Sequence, residues 1–431
     1  MKDKKILFTL CFISSLFGGT VSTLMAVYLP VAVKDLLIHP NAAEFDNISA
    51  SISAVFIFGW MAGGIIWGIL CDRIGRKRSF IYATFCYGLF TLITALAPIW
   101  WLVVISRFFS GFGIGGVLVI TTLLISEGYP EGRRAVYLGI LSISIPVGIF
   151  SAGLINYFIP YWRYAFIIGL IPLLLAGLAA LWLTESEEWK KVRTAVSEGG
   201  KTRSQEAGTG IGANLTGLLN RQNRNNLIVG SLIFGAALIG LWATFSWLPS
   251  WIQGLISHSD GQKERGIAMM LMGGGGLVGG FVSGWIVNAF TVKRTLLAFF
   301  TISFILSFFL FRLSVHLSFA VYLQIAVISF FFGVSQGALS VYIPDLFPPA
   351  VRATGTGLCF NIGRFFTGVA VFFIGSLVEF LGGYGNAIFC FSFVFLVGLL
   401  ITLFTKTSPH APVTAEPIQD ASLSPSPIPQ S

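Results

Sequence analysis

Residues 63–78 read GGIIWGILCDRIGRKR: nine small or apolar residues, then a turn carrying five charges. An apolar run cut off by cations is what a helix leaving a bilayer looks like, because Lys and Arg gather at one face of the membrane. Residues 279–294, GGFVSGWIVNAFTVKR, repeat the pattern. Glycines match at 63/279, 64/280 and 68/284, and a Lys-Arg pair closes both copies at 77–78 and 293–294. A second pair agrees with the first. Glu127-x-x-Pro130-x-x-x-Arg134-x-x-x-x-Gly139 returns as Asp345-x-x-Pro348-x-x-x-Arg352-x-x-x-x-Gly357. Two matches with nearly equal shifts, each about half the chain, mean two repeated halves. An even number of membrane crossings per half makes the repeats parallel, related by an axis along the membrane normal.

Working outward, twelve apolar runs stand out: 6–33, 48–70, 79–97, 99–125, 135–158, 163–183, 227–256, 266–290, 295–311, 319–342, 355–377 and 386–405. A spanning helix needs about 20 predominantly apolar residues. The chain is 55% hydrophobic and only 10% charged over 431 residues, with mean hydropathy +0.83. A soluble domain carries about a quarter charged residues, so this chain cannot cover a water-facing surface. The expected fold is an all-α membrane protein, twelve transmembrane helices in two parallel six-helix bundles.

The net charge of +9 raises nucleic acid as a partner, and the placement of the cations removes it. With the N-terminus cytoplasmic, 20 of the 27 Lys and Arg fall on that side and 5 on the other. Arg107 and Arg364 lie within spans. The bias follows the positive-inside rule and uses up the basic excess. Both termini are therefore expected in the cytoplasm. The five cysteines lack Cys-x-x-Cys spacing and the four histidines fall in loops or the tail, so neither disulfide, metal nor cofactor is expected. With neither a histidine cluster nor a close carboxylate pair, the chain is not read as an enzyme. The first apolar run is too long for a signal peptide and lacks a cleavage site.

Residues 1–183 form the expected N-terminal bundle and 227–405 the C-terminal one. Between them, 184–226 is polar and basic, a cytoplasmic linker. Thr184 and Glu187 have capping-box spacing, which predicts a short surface helix from Thr184. Residues 406–431 hold six of the 17 prolines and read as a disordered tail.

Gly68-x-x-x-Asp72-Arg73-x-Gly75-Arg76-Lys77 resembles the signature loop of the major facilitator superfamily, and twelve spans with a central loop extend the resemblance over nearly the whole chain. It implies the major facilitator fold. It also implies that the loop, with Glu127, Arg134, Asp345 and Arg352, is a conformational latch holding the outward-facing state. Two glycines suit a tight turn and close helix approach, while Asp and Arg suit contacts with helix ends. The second half has Asn288 where Asp72 would be, so its latch is degenerate. Glu185-Ser186-x-x-Trp189 is similar to a segment of sugar porters. However, helix seven lacks the paired glutamines that bind hexose. Residues 344–348, PDLFP, with Arg352 to Gly355 and the Arg364 helix, resemble the metabolite–proton symporters and organic-anion carriers, a branch with aromatic-acid and sialic-acid transporters. Its aromatic-acid members carry acids in helix one, and FGGTVSTLMAVYLP here has none.

A charge at mid-bilayer costs roughly 2.5–3.5 kcal/mol on insertion scales, so Arg107 and Arg364 need a partner. None of the 18 carboxylates lies in the middle of a run. Two readings stay open. The arginines pair with backbone carbonyls and polar side chains such as Asn156 and Gln336, or they grip an anionic substrate bidentately. Asn361, three residues before Arg364, shares its helical face. Trp247 and Gln253 of helix seven are further candidates, against an interfacial-anchor role. Gly273 to Gly276 look like a phosphate loop but lack its lysine and sit in a span, so they serve helix packing. Together these residues predict a secondary active transporter: alternating access, proton-coupled uptake of a small organic anion (a carboxylate or sugar acid), in the bacterial inner membrane as a monomer. The alternatives are a proton-driven exporter of drugs or metabolites, and a neutral-sugar symporter.

Overall fold

The computed structural model describes residues 4–37, 41–187, 189–190, 220–256, 261–348 and 351–405. The tail and most of the central linker lie outside the described residues. Twelve helices are long and apolar enough to cross a membrane, and there is no strand among the described residues. In the first half they are α1 (Lys4–Leu36), α2 (Ala42–Ile74), α3 (Arg76–Leu96), α4 (Trp100–Gly128), α5 (Glu131–Phe158) and α6 (Trp162–Trp182). In the second they are α7 (Arg221–Leu255), α8 (Gln262–Phe290), α9 (Val292–Leu313), α10 (Phe319–Asp345), α11 (Arg352–Leu381) and α12 (Tyr384–Phe404). Two spans are irregular. A 3₁₀ turn interrupts α6 at Ile167–Gly169, and α9 ends in a π turn at Phe309–Leu313.

The two repeats are structural as well as sequential. In the first half α2 packs on α4, and in the second α8 packs on α10. A methyl group at Gly63 would overlap the Phe112 carbonyl oxygen, and one at its counterpart Gly279 would overlap that of Phe330. Small residues let backbones approach where lipid supplies no hydrophobic drive for helix pairing. The paired lysines correspond too. Lys77 Nζ donates to the Ala180 carbonyl at 2.9 Å, and Lys293 Nζ to the Leu403 and Thr405 carbonyls at 3.2 and 2.6 Å. Each cation thus sits on the C-terminus of the sixth helix of its half, where unpaired carbonyls and the helix dipole favour it.

The halves meet through α2 against α11, α5 against α8, and α1 against α7. Their contact is uneven along the membrane normal. On the face away from the chain termini, Gly153 and Gly266 pack backbone to backbone and Gly375 packs on the Asp46 carbonyl. Tyr384 Oη donates to Asp46 Oδ1 at 2.5 Å, Ser376 Oγ to Asn47 Oδ1 at 3.4 Å, and Gln262 Nε2 to the Asn156 carbonyl at 2.7 Å. Gln262 Nε2 also reaches the Tyr157 carbonyl at 3.5 Å, so these bonds join the halves on one face. Toward the termini face, Gly68, Gly139, Gly284 and Gly357 of the same four interface helices have no neighbour within 4 Å of a built Cβ. The halves are closed on one face and parted on the other.

The first turn of α2 departs from the hydropathy run. Asn41 Oδ1 caps it by accepting from the Glu44 N–H at 2.7 Å, so the helix begins six residues before the run at 48 and carries Asp46, only 5% exposed, into the protein. The predicted helix at Thr184 is also displaced. Residues 184–186 are non-helical, a helical turn begins at Glu187, and Ser186 Oγ accepts from the Trp189 N–H at 3.4 Å.

Candidate functional site: a small cavity with an arginine in its wall

Midway through the molecule, both halves line one chamber: Ser22, Met25 and Ala26 from α1, Ile52, Ser53 and Phe56 from α2, Arg107 from α4, Trp242 and Ser246 from α7. Arg107 is 1% exposed. Its Nη1 donates to the Val21 carbonyl at 3.1 Å and its Nη2 to that of Ser22 at 3.5 Å, while Cζ lies 4.1 Å from the Phe56 ring centroid. Its Nε is buried without a hydrogen-bond partner. Carbonyls and a ring face lower the cost of the charge but do not neutralise it. Among the described residues no carboxylate pairs with it. The backbone pairing foreseen as one reading is present, and the positive charge remains uncompensated beside the chamber.

Arg364 has no hydrogen bond or ion pair among the described residues; its Cζ lies 6.0 Å from the Trp60 ring centroid. Asn361, one turn before it, donates from Nδ2 to the Gly357 carbonyl at 2.9 Å, and its Oδ1 is buried without a partner, facing Gly64 of α2 across the interface. The other candidates lie elsewhere. Trp247 is fully buried and stacks on Tyr384, with ring centroids 5.6 Å apart. Gln253 accepts from Arg265 Nη1. Asn156 is fully buried beside the Tyr28 hydroxyl. Gln336 of α10 has a buried Nε2 without a partner. None of these four lines the chamber; Trp242 and Ser246, five positions and one position before Trp247 on α7, do.

The charged turn between α2 and α3 forms a second cluster, made by the first half and the start of the linker. Arg76 joins Glu127 of α4 through Nε at 3.1 Å and Nη2 at 3.0 Å, and reaches Asp72 at 3.0 Å and the Cys71 carbonyl at 3.1 Å. Glu185, following α6, accepts from the backbone N–H of Arg76 at 2.7 Å and of Lys77 at 3.1 Å. A carboxylate on the first free N–H groups of a helix is favoured by both hydrogen bonding and dipole. Gly75 makes this possible. Its φ is +100°, and a Cβ there would overlap the Glu185 carboxylate. Gly68, by contrast, approaches nothing. The Asp72 side chain is 73% exposed and Arg73 is exposed. In the second half Arg352 Nε donates to the Phe347 carbonyl at 3.2 Å, and Asp345 ends α10.

Sequence reasoning missed two buried charged groups and one half-buried hydroxyl. Asp46 lay outside the apolar run. Arg265, one residue outside the run at 266–290, is inside α8 and 1% exposed. Tyr384, two residues before the run at 386–405, bridges the halves through its bond to Asp46. Phe56 and Trp60 were legible only as an i, i+4 aromatic pair.

The pattern of the Major Facilitator Superfamily matches residues 10–371. The chain is 27% identical over 424 residues to the cis,cis-muconate transport protein of Acinetobacter baylyi, covering 95% of this chain and 96% of that protein. It is 25% identical to the gallate transporter of Pseudomonas putida, covering 84% and 82%. Among solved structures, the D-xylose–proton symporter superposes with a TM-score of 0.74 at 16% identity, covering 93% of this chain and 96% of that one.

Proposed function

The chain belongs to the Major Facilitator Superfamily, and from that premise we propose that it takes up a small organic carboxylate together with protons by alternating access. The observation that carries the substrate class is Arg107: a buried guanidinium, uncompensated by any described carboxylate, in the wall of a chamber shared by both halves. An anionic substrate supplies the missing charge through charge-assisted hydrogen bonds, including one from the unbonded Nε. Relatives named for muconate and gallate support the reading.

The distribution of Lys and Arg makes the termini face cytoplasmic, in a bacterial inner membrane, and the closed outer face then identifies an inward-facing state. Residues 1–183 and 227–405 are the two bodies that rock, joined by 184–226. In this state the exposed Asp72 is a released latch, while Glu185, Arg76 and Glu127 hold the turn in shape for its return. Carrying a monoanion inward against about 100 mV costs roughly 2.3 kcal/mol. One co-transported proton cancels that charge, and a pH gradient adds drive.

The test is thermal stabilisation of purified protein by organic acids, sugar acids and neutral sugars, with Arg107→Ala in parallel. Carboxylates stabilise wild type and not the variant. Stabilisation by neutral sugars alone, unchanged in Arg107→Ala, overturns the reading.

A further inference from the structure

We propose that Arg107 and Arg364 are two successive anion sites rather than the two jaws of one clamp, separated by an aromatic gate of Trp60 and Trp242. The inference rests on the carboxylate reading above and concerns the path the anion takes.

The two guanidiniums face different rings. Arg107 lies over Phe56 at 4.1 Å, and Arg364 lies near Trp60 at 6.0 Å. Phe56 and Trp60 follow one another on α2, their rings edge to face with centroids 5.8 Å apart. Four residues of helix rise correspond to about 6 Å along the axis. α11 runs antiparallel to α2, with Gly375 at Asp46, Gly368 at Phe58 and Asn361 at Gly64. That register sets Arg364 level with the Trp60–Gly64 turn, on the open side of Phe56. The chamber wall includes Arg107, Phe56 and Trp242 but neither Trp60 nor Arg364.

Trp242 closes the gap between the two levels. Its ring meets Trp60 edge to face at 5.7 Å, and the two belong to opposite halves, α7 and α2. Any rocking of one half against the other changes their separation. An aromatic pair of this kind contributes modestly beyond its buried area, weak enough to part in each cycle. Its π faces offer a stacking surface to the planar unsaturated body of an anionic substrate, while the carboxylate itself turns away from the negative ring face. Arg364 then receives the anion on the open side, where no described residue competes for its guanidinium, and Asn361 lies one helical turn away on the same face, its Nδ2 able to donate to the anion in place of the Gly357 carbonyl.

The experiment measures binding and transport separately in Arg364→Gln, with Arg364→Lys and Trp242→Ala alongside. The probes are benzoate, 4-hydroxybenzoate, nicotinate and cis,cis-muconate. Binding is thermal stabilisation of the purified protein; transport is uptake into proteoliposomes. All variants are first required to elute as wild type in size-exclusion chromatography. Successive sites predict that Arg364→Gln keeps the affinity for the best probe within about threefold while uptake falls at least tenfold in kcat. Arg364→Lys recovers part of the rate, and Trp242→Ala weakens retention so that KM rises more than kcat falls. A single clamp predicts the opposite: Arg364→Gln loses affinity as Arg107→Gln does, and that result overturns the proposal. If no probe stabilises wild type, the carboxylate reading itself falls, and this proposal with it. A Trp242→Ala variant with wild-type KM and kcat removes the gate while leaving the carboxylate reading intact.

Discussion

Replacing Tyr384 with Phe tests whether the closed face is a working gate. The hydroxyl of Tyr384 on α12 donates to the buried Asp46 of α2, tying the two halves at 2.5 Å. Phe keeps the ring that stacks on Trp247, so the substitution deletes one hydrogen bond and little else. A hydrogen bond to a charged group contributes about 1.5–3 kcal/mol net, and one between neutral groups about 1 kcal/mol. The loss falls on the closed state, because in the open one water replaces the protein partner. A bias of about 1–3 kcal/mol is a shift of roughly 5- to 150-fold between the two states. The assay is alkylation, in intact cells, of a cysteine at the chamber residue Ser53 by a membrane-impermeant maleimide, with the native cysteines replaced. Its rate scales with the fraction open to that face and should rise by the same factor in Tyr384→Phe. Asp46→Asn retains an acceptor for the hydroxyl and should shift the rate less. Equal rates in wild type and Tyr384→Phe would show that the bond does not gate access.

Three further outcomes follow from the same geometry. Arg107→Met should abolish carboxylate binding, a loss of about 2–4 kcal/mol, without lowering the melting temperature of the ligand-free protein, since it removes a buried charge without a carboxylate partner. Glu185→Gln should cost about 1–3 kcal/mol by weakening two charge-assisted bonds at the start of α3. Thermal melts of each variant against wild type check both statements. A Cβ at Gly357 meets nothing in this state, so Gly357→Ala should leave the melting temperature within a few degrees while slowing uptake, because closure of the opposite face brings that surface into contact; unimpaired uptake would contradict this.

Much of the fold could be read from hydropathy, because bilayer spanning imposes long apolar runs and the repeat of 63–78 at 279–294 imposes two halves. The ends of the helices could not. An apolar window stops where polar residues begin, whereas α2 continues outward on the strength of Asn41 as a cap, and this hid Asp46. Arg265 was misplaced for the same reason, since α8 starts at Gln262. The two in-span arginines were conspicuous because a charge in hydrocarbon has few explanations. Their surroundings were not, since which ring stands beside which guanidinium depends on helix register between α2, α4 and α11. Trp247 and Trp242 illustrate the limit: five positions apart on one helix, they point into different places, and composition alone does not say which faces the chamber.

The central claim is tested most directly by proteoliposome uptake of a radiolabelled carboxylate under an inward proton gradient, comparing wild type with Arg107→Ala. The account predicts accumulation that collapses with a protonophore and is lost in the variant. Accumulation that survives both treatments, or uptake confined to neutral solutes, would contradict it.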